Sequence, residues 1–514
     1  MLKTDRLFSD HMVLQRGKEI KIWGICTGEK SENPIKASLS GKTVEAVRDE
    51  TGKWTAVFPP LEADRGLTLT VENGTDRIEI KDVNIGEVWV AAGQSNMEFY
   101  MRYDADCITE KDQCENQDIR FFDVPEVCYP GQEDEYDYSR MGFWRRCTPE
   151  DLEYFSAAAY YFAKKISREL DVSVGIIGCN RRGSIAGAWM SRKELKAHGQ
   201  VWLDDYADMQ ETGKDLDDFR KTPMADSGNP FADPINEEML FGMTRQKQLE
   251  ILEQMPKELQ DPKPGFNNRP GCLYELMLKQ IVPCTVRGIL WYQGESDSPH
   301  AEAYKEIFRD LIYSWRNLWG EQLPFCCVQL APFGEWMACD GENFPIIRQA
   351  QKEISKEEKG VYLVSSSDAG MQYDIHPKRK QPVGERLALC AQKYVYGMDV
   401  CADAPEAERA YVQDSQLFIE FKMDGKYLEI KGDKLNALKL FVCNGENTYK
   451  LSYREEQIYT KGKTLVIPLD TESGIPEQLN GNIRVEYAQS GYYEVNLYSD
   501  AGIPAMPFIF EIIK

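Results

Sequence analysis

The spacing of apolar residues changes period twice along this chain, and these changes constrain the fold more than any other feature of the sequence. Up to about residue 83, apolar and polar residues alternate in short segments, as at positions 19–23 and 54–58. Turns containing Asp, Asn and Gly, such as positions 49–52, separate these segments. A period of two is typical of half-buried strands. Residues 1–83 are therefore predicted to form an N-terminal β-sandwich-like domain.

Residues 84–400 show a different pattern, in which short apolar runs alternate with helical segments. The runs lie at 88–92, 174–177, 288–292, 325–330 and 361–365. Helical patterns lie at 155–170, 304–318 and 347–356. Strands that alternate with helices indicate a parallel sheet covered on both faces. An acidic, mostly helical stretch at 198–271 interrupts this order and is predicted to be an inserted subdomain or a lid.

The C-terminal part of the chain returns to a period of two, as at positions 416–421 and 464–468. This pattern predicts a β-rich domain over 401–514. The predicted fold is α/β, with a catalytic domain at 84–400 between two all-β domains. Three domains suit a chain of 514 residues, because a single core rarely grows beyond roughly 250–300 residues.

Composition excludes several classes of protein. The formal charge of −23 disfavours nucleic acids and anionic membranes as partners. The chain has no run of 18 apolar residues, and its start lacks a signal-peptide core, so we expect a cytoplasmic protein. The 14 cysteines are scattered and are expected to be buried, reduced thiols. With four histidines in all, a multi-histidine metal site is disfavoured, and no cofactor is expected.

The strongest local signal for function is the sequence Val-Ala-Ala-Gly-Gln-Ser-Asn-Met at positions 90–97. An apolar strand ends at Gly93, and Ser95 follows in the turn. Ligands of parallel α/β sheets bind at the carboxyl ends of the strands, so Ser95 is a candidate nucleophile whose own N–H can stabilise an oxyanion. The alternative is that Ser95 only caps a helix. Met97 stands where a G-x-S-x-G elbow has its second glycine, which disfavours an ordinary α/β-hydrolase.

A candidate base lies near the end of the α/β region, in the sequence Tyr-Asp-Ile-His-Pro at 373–377. A serine hydroxyl needs a base with a pKa near 7, and an imidazole meets this need. In an extended segment residues i and i+2 point to the same side, so Asp374 can orient His376. The alternative is a structural histidine.

Two further turns follow predicted strands and carry candidate donors. The sequence at 291–297 supplies Gln293, whose amide can donate to an oxyanion. The sequence at 180–184 supplies the amide of Gly183 as another donor. The alternatives are that the aromatic residues at 291–292 only form core and that Gly183 only forms a turn. Trp291 and Glu295 of the first turn, and Gln94 next to Ser95, are predicted to contact a sugar.

Taken together, these motifs resemble the sialate O-acetylesterase family within the SGNH-hydrolase superfamily. The resemblance spans almost the whole chain, in ordered blocks. They are 8–16 (Phe-Ser-Asp-His-Met-Val-Leu-Gln-Arg), 86–89 (Gly-Glu-Val-Trp), 93–97 (Gly-Gln-Ser-Asn-Met), 291–296 (Trp-Tyr-Gln-Gly-Glu-Ser), 374–377 (Asp-Ile-His-Pro), 496–498 (Asn-Leu-Tyr) and 502–508 (Gly-Ile-Pro-Ala-Met-Pro-Phe).

The resemblance implies a flavodoxin-like, three-layer α/β/α catalytic domain that works without a metal. It makes Ser95 the nucleophile, His376 the general base and Asp374 its orienting acid. The N–H groups of Ser95 and Gly183 and the side chain of Gln293 would form the oxyanion hole. The wider superfamily usually places the acid three residues before the histidine, where this chain has Tyr373, and Asp368 is the reserve candidate. Relatives often read Trp-Gly-Gly-Thr where this chain has Arg-Arg-Gly-Ser at 181–184.

The function implied is hydrolysis of O-acetyl esters on a small carbohydrate, either acetylated sialic acid or xylo- and manno-oligosaccharides. Arg181 or Arg182 would pair with the carboxylate of sialic acid, whereas the charge of −23 suits neutral sugars. Two alternatives remain: a non-catalytic carbohydrate-binding protein, and a lipase or thioesterase, which needs an apolar acyl tunnel. The sequence leaves open whether the protein is a homo-oligomer.

Overall fold

The N-terminal part of the protein consists of two β-sheets. The computed structural model describes residues 1–27, 33–222, 225, 235–255, 265–445, 447–469 and 481–513. One sheet contains Leu2–Thr4, Ile20–Cys26, Val47–Arg48 and Lys53–Phe58; the other contains Val13–Gln15, Lys36–Leu39, Lys42–Glu45, Asp64–Glu72 and Arg77–Gly93. Buried residues alternate with more exposed ones along Lys53–Phe58, where Trp54, Ala56 and Phe58 face the core. The predicted period of two therefore reflects strands with one buried face.

The centre of the protein is a sheet of seven strands, six of them parallel. In chain order they are β1 (Arg77–Gly93), β2 (Asn116–Asp123), β3 (Trp144–Cys147), β4 (Val174–Asn180), β5 (Gly288–Tyr292), β6 (Phe325–Val328) and β7 (Val361–Val364). Their order across the sheet is β3-β2-β4-β1-β5-β6-β7, and β3 is antiparallel to β2. Strand β1 crosses the predicted domain boundary at 83/84, because its first half pairs with Asp64–Glu72 and its second half with β4 and β5.

Helices cover both faces of this sheet. The buried side chains of Ala157–Leu170 and Gln381–Tyr394 pack with Trp89, Ala91 and Ile176 on one face. Those of Tyr304–Trp319 and Phe344–Glu357 pack with Val90, Ile177 and Trp291 on the other. Neighbours along a strand point to opposite faces, so a strand covered on both sides is apolar throughout. The mixed α/β fold predicted for the middle of the chain is thus confirmed.

The predicted insert is helical where the structure describes it. Its helices are Gln200–Asp205, Lys214–Phe219, Glu237–Phe241 and Arg245–Gln254, and positions 223–224, 226–234 and 256–264 lie outside the described residues. Shorter helices elsewhere are Ser95–Glu98, Cys107–Lys111, Arg192–Leu195 and Lys279–Ile281. A small hairpin, Glu335–Trp336 with Cys339–Asp340, follows β6.

The C-terminal part is again built from β-sheets that enclose one apolar core. One sheet contains Glu406–Gln413, Gln416–Lys422, Tyr459–Lys461 and Thr464–Pro468; another contains Leu438–Asn444, Asn447–Lys450, Asn482–Tyr487 and Phe508–Ile512; Leu428–Ile430 pairs with Leu497–Ser499. The extra β-structure on both sides of the α/β region was predicted from the two-residue period, and the fold bears this out.

All 14 cysteines are free thiols, and 11 of them are buried. In the part of the chain that the structure describes, no helix has both the length and the apolar character needed to span a bilayer. Within the same residues, no cluster of three or more His, Cys, Asp or Glu side chains is arranged to hold a metal ion.

Candidate active site

The site forms where the carboxyl ends of three neighbouring strands, β4, β1 and β5, lie side by side. Gly93, at the end of β1, pairs with Asn180 of β4 and with Tyr292 of β5. Its φ is +136°, and a Cβ there would lie 2.1 Å from the carbonyl oxygen of Tyr292. Only glycine therefore fits at this position, and it lets the chain turn sharply into the segment that carries Ser95.

Ser95 is the first residue of the short helix Ser95–Glu98 and is not its cap. The capping position is Gln94, whose side chain makes no capping hydrogen bond. The Ser95 hydroxyl instead meets the imidazole of His376, with Oγ 2.9 Å from Nε2. The structure therefore brings together a serine and a histidine that lie 281 residues apart in the sequence. This separation is bridged because both follow strands that end at the same edge of the sheet.

Asp374 lies beside His376 but contacts it loosely through the side chain. Its Oδ1 accepts the backbone N–H of His376 at 2.9 Å and lies 3.7 Å from Nδ1 of the ring. The second distance is longer than a hydrogen bond. The other oxygen, Oδ2, pairs with Nζ of Lys378 at 3.0 Å. The carboxylate is buried, at 4% exposure, and lies on the side of the ring opposite the serine, which suits an orienting acid.

Asp368, the reserve acid, is engaged elsewhere. Its two carboxylate oxygens form a bidentate pair with the guanidinium of Arg386, at 2.6 and 2.8 Å. The hydroxyl of Tyr498 also donates to it, at 3.3 Å. Asp368 thus joins the α/β region to the C-terminal strands, and Asp374 is the carboxylate in contact with His376.

Two backbone N–H groups are available to stabilise an oxyanion. The N–H of Ser95 lies in the first turn of its helix, where no intrahelical acceptor exists. The turn with Gly183 is held beside it because the Arg181 N–H donates to the Gly93 carbonyl at 3.1 Å. Gly183 has φ +67°, its carbonyl accepts from Asn268, and among the described residues its N–H has no acceptor.

Gln293 does not fill the predicted role of oxyanion donor. It is fully buried, and Nε2 already donates to the Ser184 carbonyl at 3.1 Å and to Asp297 Oδ2 at 2.5 Å. An amide nitrogen has two hydrogens, and both are used. The physical reason is the Asp297 carboxylate four residues later, which competes for this amide. The same carboxylate also accepts the Ala186 N–H at 2.9 Å. Gln293 and Asp297 together therefore stabilise the loop after β4, through Ser184 and Ala186.

The three predicted sugar contacts are also structural in this fold. Trp291 is fully buried and stacks on Phe308, with ring centroids 6.0 Å apart, because its side chain points to a helix-covered face of the sheet. Gln94 is buried and accepts from two N–H groups of the 293–296 turn, each at 3.2 Å. Glu295 is 7% exposed and accepts from Asn96 at 2.6 Å. These residues fix the turns around Ser95 without lining its pocket.

The pocket at Ser95 is formed mainly by residues that the sequence did not single out. Its volume is about 200 Å³, and it is lined by Ser95, Glu98, Phe99, Tyr100, Tyr103, Arg182, His376 and Lys378. The hydroxyl is thus surrounded by the rings of Phe99, Tyr100 and Tyr103 and by two ion pairs, Arg182 with Glu98 and Lys378 with Asp374. Arg182 pairs with Glu98 at 3.1 Å, whereas Arg181 is fully buried and pairs with Glu126 at 3.1 Å. Glu98 follows Ser95 by three residues, a spacing that places both on one side of a helical turn.

The electrostatics of the pocket favour a neutral imidazole. Burial, followed by the positive charges of Lys380, Lys378 and Arg182, lowers the pKa of His376 to about 3. A neutral ring is the form that accepts a proton, but a pKa this low departs from the value near 7 that the sequence led us to expect of the base. Burial also lowers the pKa of Lys380 to about 7, although its ammonium donates to Asn96 at 2.6 Å, directly behind the nucleophile.

A serine hydroxyl within hydrogen-bond reach of a histidine, with a carboxylate next to the ring, is the arrangement found in serine hydrolases. A family model described as "Carbohydrate esterase, sialic acid-specific acetylesterase" matches residues 264–393. The mouse sialate O-acetylesterase is 23% identical over 506 residues, which cover 92% of this chain and 86% of the mouse protein. The human sialate O-acetylesterase is 22% identical over 387 residues, which cover 69% of this chain and 63% of the human protein.

A solved structure extends the likeness to the whole fold. The crystal structure of a carbohydrate acetylesterase from Xanthomonas citri superposes with a TM-score of 0.75, at 24% identity, and covers 99% of each chain. At 24% identity this match shows that the two proteins share a fold, including the β-domains on either side of the α/β region. The comparisons confirm the resemblance to the sialate O-acetylesterase family that the motif blocks indicated.

Proposed function

We propose that this protein hydrolyses O-acetyl esters on carbohydrates through an acyl-serine intermediate, on an SGNH-type α/β/α domain. The observation that carries the proposal is the 2.9 Å contact between Ser95 Oγ and His376 Nε2, which opens onto the aromatic, polar pocket. The family resemblance supplies the class of ester.

The geometry supports a two-step reaction. Neutral His376 takes the proton of the Ser95 hydroxyl as Oγ attacks the acetyl carbon, and the Ser95 and Gly183 N–H groups stabilise the resulting oxyanion. Collapse breaks the bond to the sugar oxygen, which takes the proton from Nε2. A water molecule then attacks the acyl-serine and gives a proton to His376. Acetate is released when the bond to Ser95 Oγ breaks and His376 returns that proton to Oγ.

Acetate release from acetylated oligosaccharides is the direct test of this proposal. We expect release that stops when Ser95 is alkylated or replaced, and a transient acetyl adduct on Ser95 detected by mass spectrometry. Binding of acetylated sugars without acetate release would instead favour a non-catalytic carbohydrate-binding protein. A lipase or thioesterase is disfavoured because Glu98, Arg182 and Lys378 line the pocket where an acyl tunnel would need apolar walls.

The charge pairs at the pocket favour a neutral sugar over a sialic acid. Among the lining residues that the structure describes, both cations are already paired: Arg182 with Glu98 at 3.1 Å, and Lys378 with Asp374 at 3.0 Å. Arg181, the other candidate partner for a substrate carboxylate, is fully buried against Glu126. A carboxylate entering the pocket would therefore meet Glu98 without a spare cation to offset its charge.

We therefore predict that kcat/KM for acetylated xylo- or manno-oligosaccharides exceeds that for acetylated sialic acid by at least about tenfold, or 1.4 kcal/mol. Initial rates of acetate release at low ionic strength provide the measurement. The methyl ester of the same sialic acid is the matched control, because it keeps the ring and removes the charge. Equal rates for the acid and its methyl ester would contradict the neutral-sugar assignment.

The lowered pKa of His376 predicts an unusual pH profile. The free enzyme needs the neutral imidazole, which persists down to the pKa of about 3, so kcat/KM should stay level between about pH 5 and 8. Removing a nearby cation favours the imidazolium and raises this pKa. Lys378→Met should therefore move the acidic limb of kcat/KM to higher pH, and Lys378→Arg, which keeps the charge, should not. A limb near pH 6.5 in the wild type would contradict the prediction.

A further inference from the structure

We propose that the insert is a fixed positioning element for the catalytic loop, in which Gln248 and Gly242 hold Asp374 and His376 in place. This inference rests on the proposed role of His376 as the base. It assigns a function to residues 235–255, a part of the insert that packs on the site. A lid would open and close over the pocket, whereas Gln248 and Gly242 of this segment contact the loop that carries Asp374 and His376.

Gln248 of the insert forms hydrogen bonds to two loops at the same time. Its Nε2 donates to the carbonyl of Tyr373 at 2.6 Å, one residue before Asp374. Its Oε1 accepts the backbone N–H of Met337 at 3.1 Å. One side-chain amide therefore connects the loop that carries Asp374 and His376 to the hairpin that contains Trp336. The indole of Trp336 packs edge-on against the imidazole of His376, with ring centroids 5.4 Å apart and an interplanar angle of 80°.

Gln248 seats the helix Arg245–Gln254 through these bonds, alongside the half-buried apolar residues Ile251 and Leu252. Gln248 is its one fully buried side chain, at 0% exposure, and the apolar Leu249 is exposed. A helix usually docks through an apolar stripe. Burying an amide is costly unless its hydrogen bonds are made, and here both ends of the amide are used. The hydrogen bonds of Gln248 therefore help to hold the helix against the catalytic loop.

Arg245 strengthens the same junction from the preceding turn of the helix. Its guanidinium donates to Gln248 Oε1 at 3.2 Å, to the Met337 carbonyl at 3.2 Å and to Glu335 Oε2 at 2.6 Å. Met337 has φ +50°, a left-handed conformation that a non-glycine residue keeps only when its surroundings impose it. Gln248 and Arg245 bind both backbone groups of this residue, so they hold the hairpin in the shape that brings Trp336 to His376.

Gly242 contacts the acid itself from the insert. It has φ +88°, and a Cβ at this position would lie 3.1 Å from Oδ2 of Asp374 and 3.3 Å from the end of Met371. The chain of the insert thus closes over the carboxylate, which is only 4% exposed. A side chain larger than hydrogen would be strained in its backbone conformation and would press on Asp374.

The test compares Gln248→Leu with Gln246→Leu, a matched change two residues earlier on the exposed side of the same helix. The readouts are kcat and KM for an aryl acetate per titrated active site, and the rate at which phenylmethanesulfonyl fluoride modifies Ser95. For Gln248→Leu we expect kcat and the modification rate to fall together by about 10- to 100-fold, with KM changed less than about threefold. Gly242→Ala should act in the same direction, and Gln246→Leu should match the wild type.

A purely structural role would give a different pattern. Gln248→Leu would then lower the midpoint of thermal unfolding and the fraction of titratable sites, while kcat per site and the Ser95 modification rate stayed within about twofold of wild type. That result would overturn the inference. The sulfonyl fluoride reaction needs no carbohydrate, so it remains informative if no acetylated sugar is hydrolysed. The proposed function and the positioning role can therefore fail separately.

Discussion

Replacing Ser95 by alanine should lower kcat for acetate release by about 10⁶-fold while KM changes little, which is the cost of losing the nucleophile of a triad. The expectation follows from the structure because Ser95 Oγ is the atom that His376 Nε2 contacts, at 2.9 Å, and because the pocket opens at this hydroxyl. Substrate binding depends on the other lining residues, which the substitution leaves in place. The residual rate would come from the two N–H groups and from binding alone.

The matched control for this substitution is Ser296→Ala. Ser296 lies in the adjacent turn after β5, where its hydroxyl accepts from Gln94 at 3.2 Å. Within the described residues, the His376 ring bonds to the Ser95 hydroxyl and not to that of Ser296. We expect kcat for Ser296→Ala within about tenfold of wild type. An acetate release rate for Ser95→Ala that equals the rate of Ser296→Ala would exclude an acyl-serine at position 95, since only one of these hydroxyls is next to the base.

The elements best predicted from the sequence are those whose burial is complete. The strand at 288–292 was predicted with the observed bounds because both of its faces are covered, so that every residue is apolar. The long strand Arg77–Gly93 was predicted only in its apolar second half. Its first half alternates like a sandwich strand because it belongs to the N-terminal sheet, and the sequence carries no sign that one strand serves two sheets.

The meeting of Ser95 with His376 could be predicted from topology, since both follow strands of one parallel sheet. The roles of Trp291 and Gln293 could not be predicted, because they depend on which neighbouring groups each side chain contacts in the fold. Trp291 points to the helix-covered face, and Asp297 captures the Gln293 amide. Sequence spacing does not report either fact. The pocket residue Glu98 was within reach of sequence reasoning, as it follows Ser95 by three residues.

Gln248 illustrates a functional contact that leaves no trace in the sequence. It lies in a mostly polar helix, where a glutamine is normally solvated. Its two partners distant in the sequence are backbone groups, 89 and 125 residues away, and backbone groups are common to every residue. Contacts of this kind become visible only when the fold has placed the insert against the catalytic loop.

Asp374→Asn should lower kcat by about 10³- to 10⁴-fold, less than the loss of Ser95, because an orienting acid acts through the base. The amide loses the negative charge that stabilises the imidazolium, and a rotated amide would present a donor to Nδ1. In this structure Oδ1 lies 3.7 Å from Nδ1, so the contact must shorten as His376 takes up the proton from Ser95. A fall in kcat with KM nearly unchanged is therefore the expected signature.

Asp368→Asn separates the two carboxylates that the sequence left as alternatives. Asp368 holds Arg386 at 2.6 and 2.8 Å, so its loss should reduce the free energy of unfolding by about 1.5–3 kcal/mol and leave kcat per active site within a few-fold of wild type. Chemical denaturation and active-site titration measure the two effects separately. If Asp374→Asn instead kept kcat within threefold of wild type, Asp374 would be no part of the machinery. Catalysis would then rest on a Ser95–His376 pair, with the imidazole held by its burial and by Trp336.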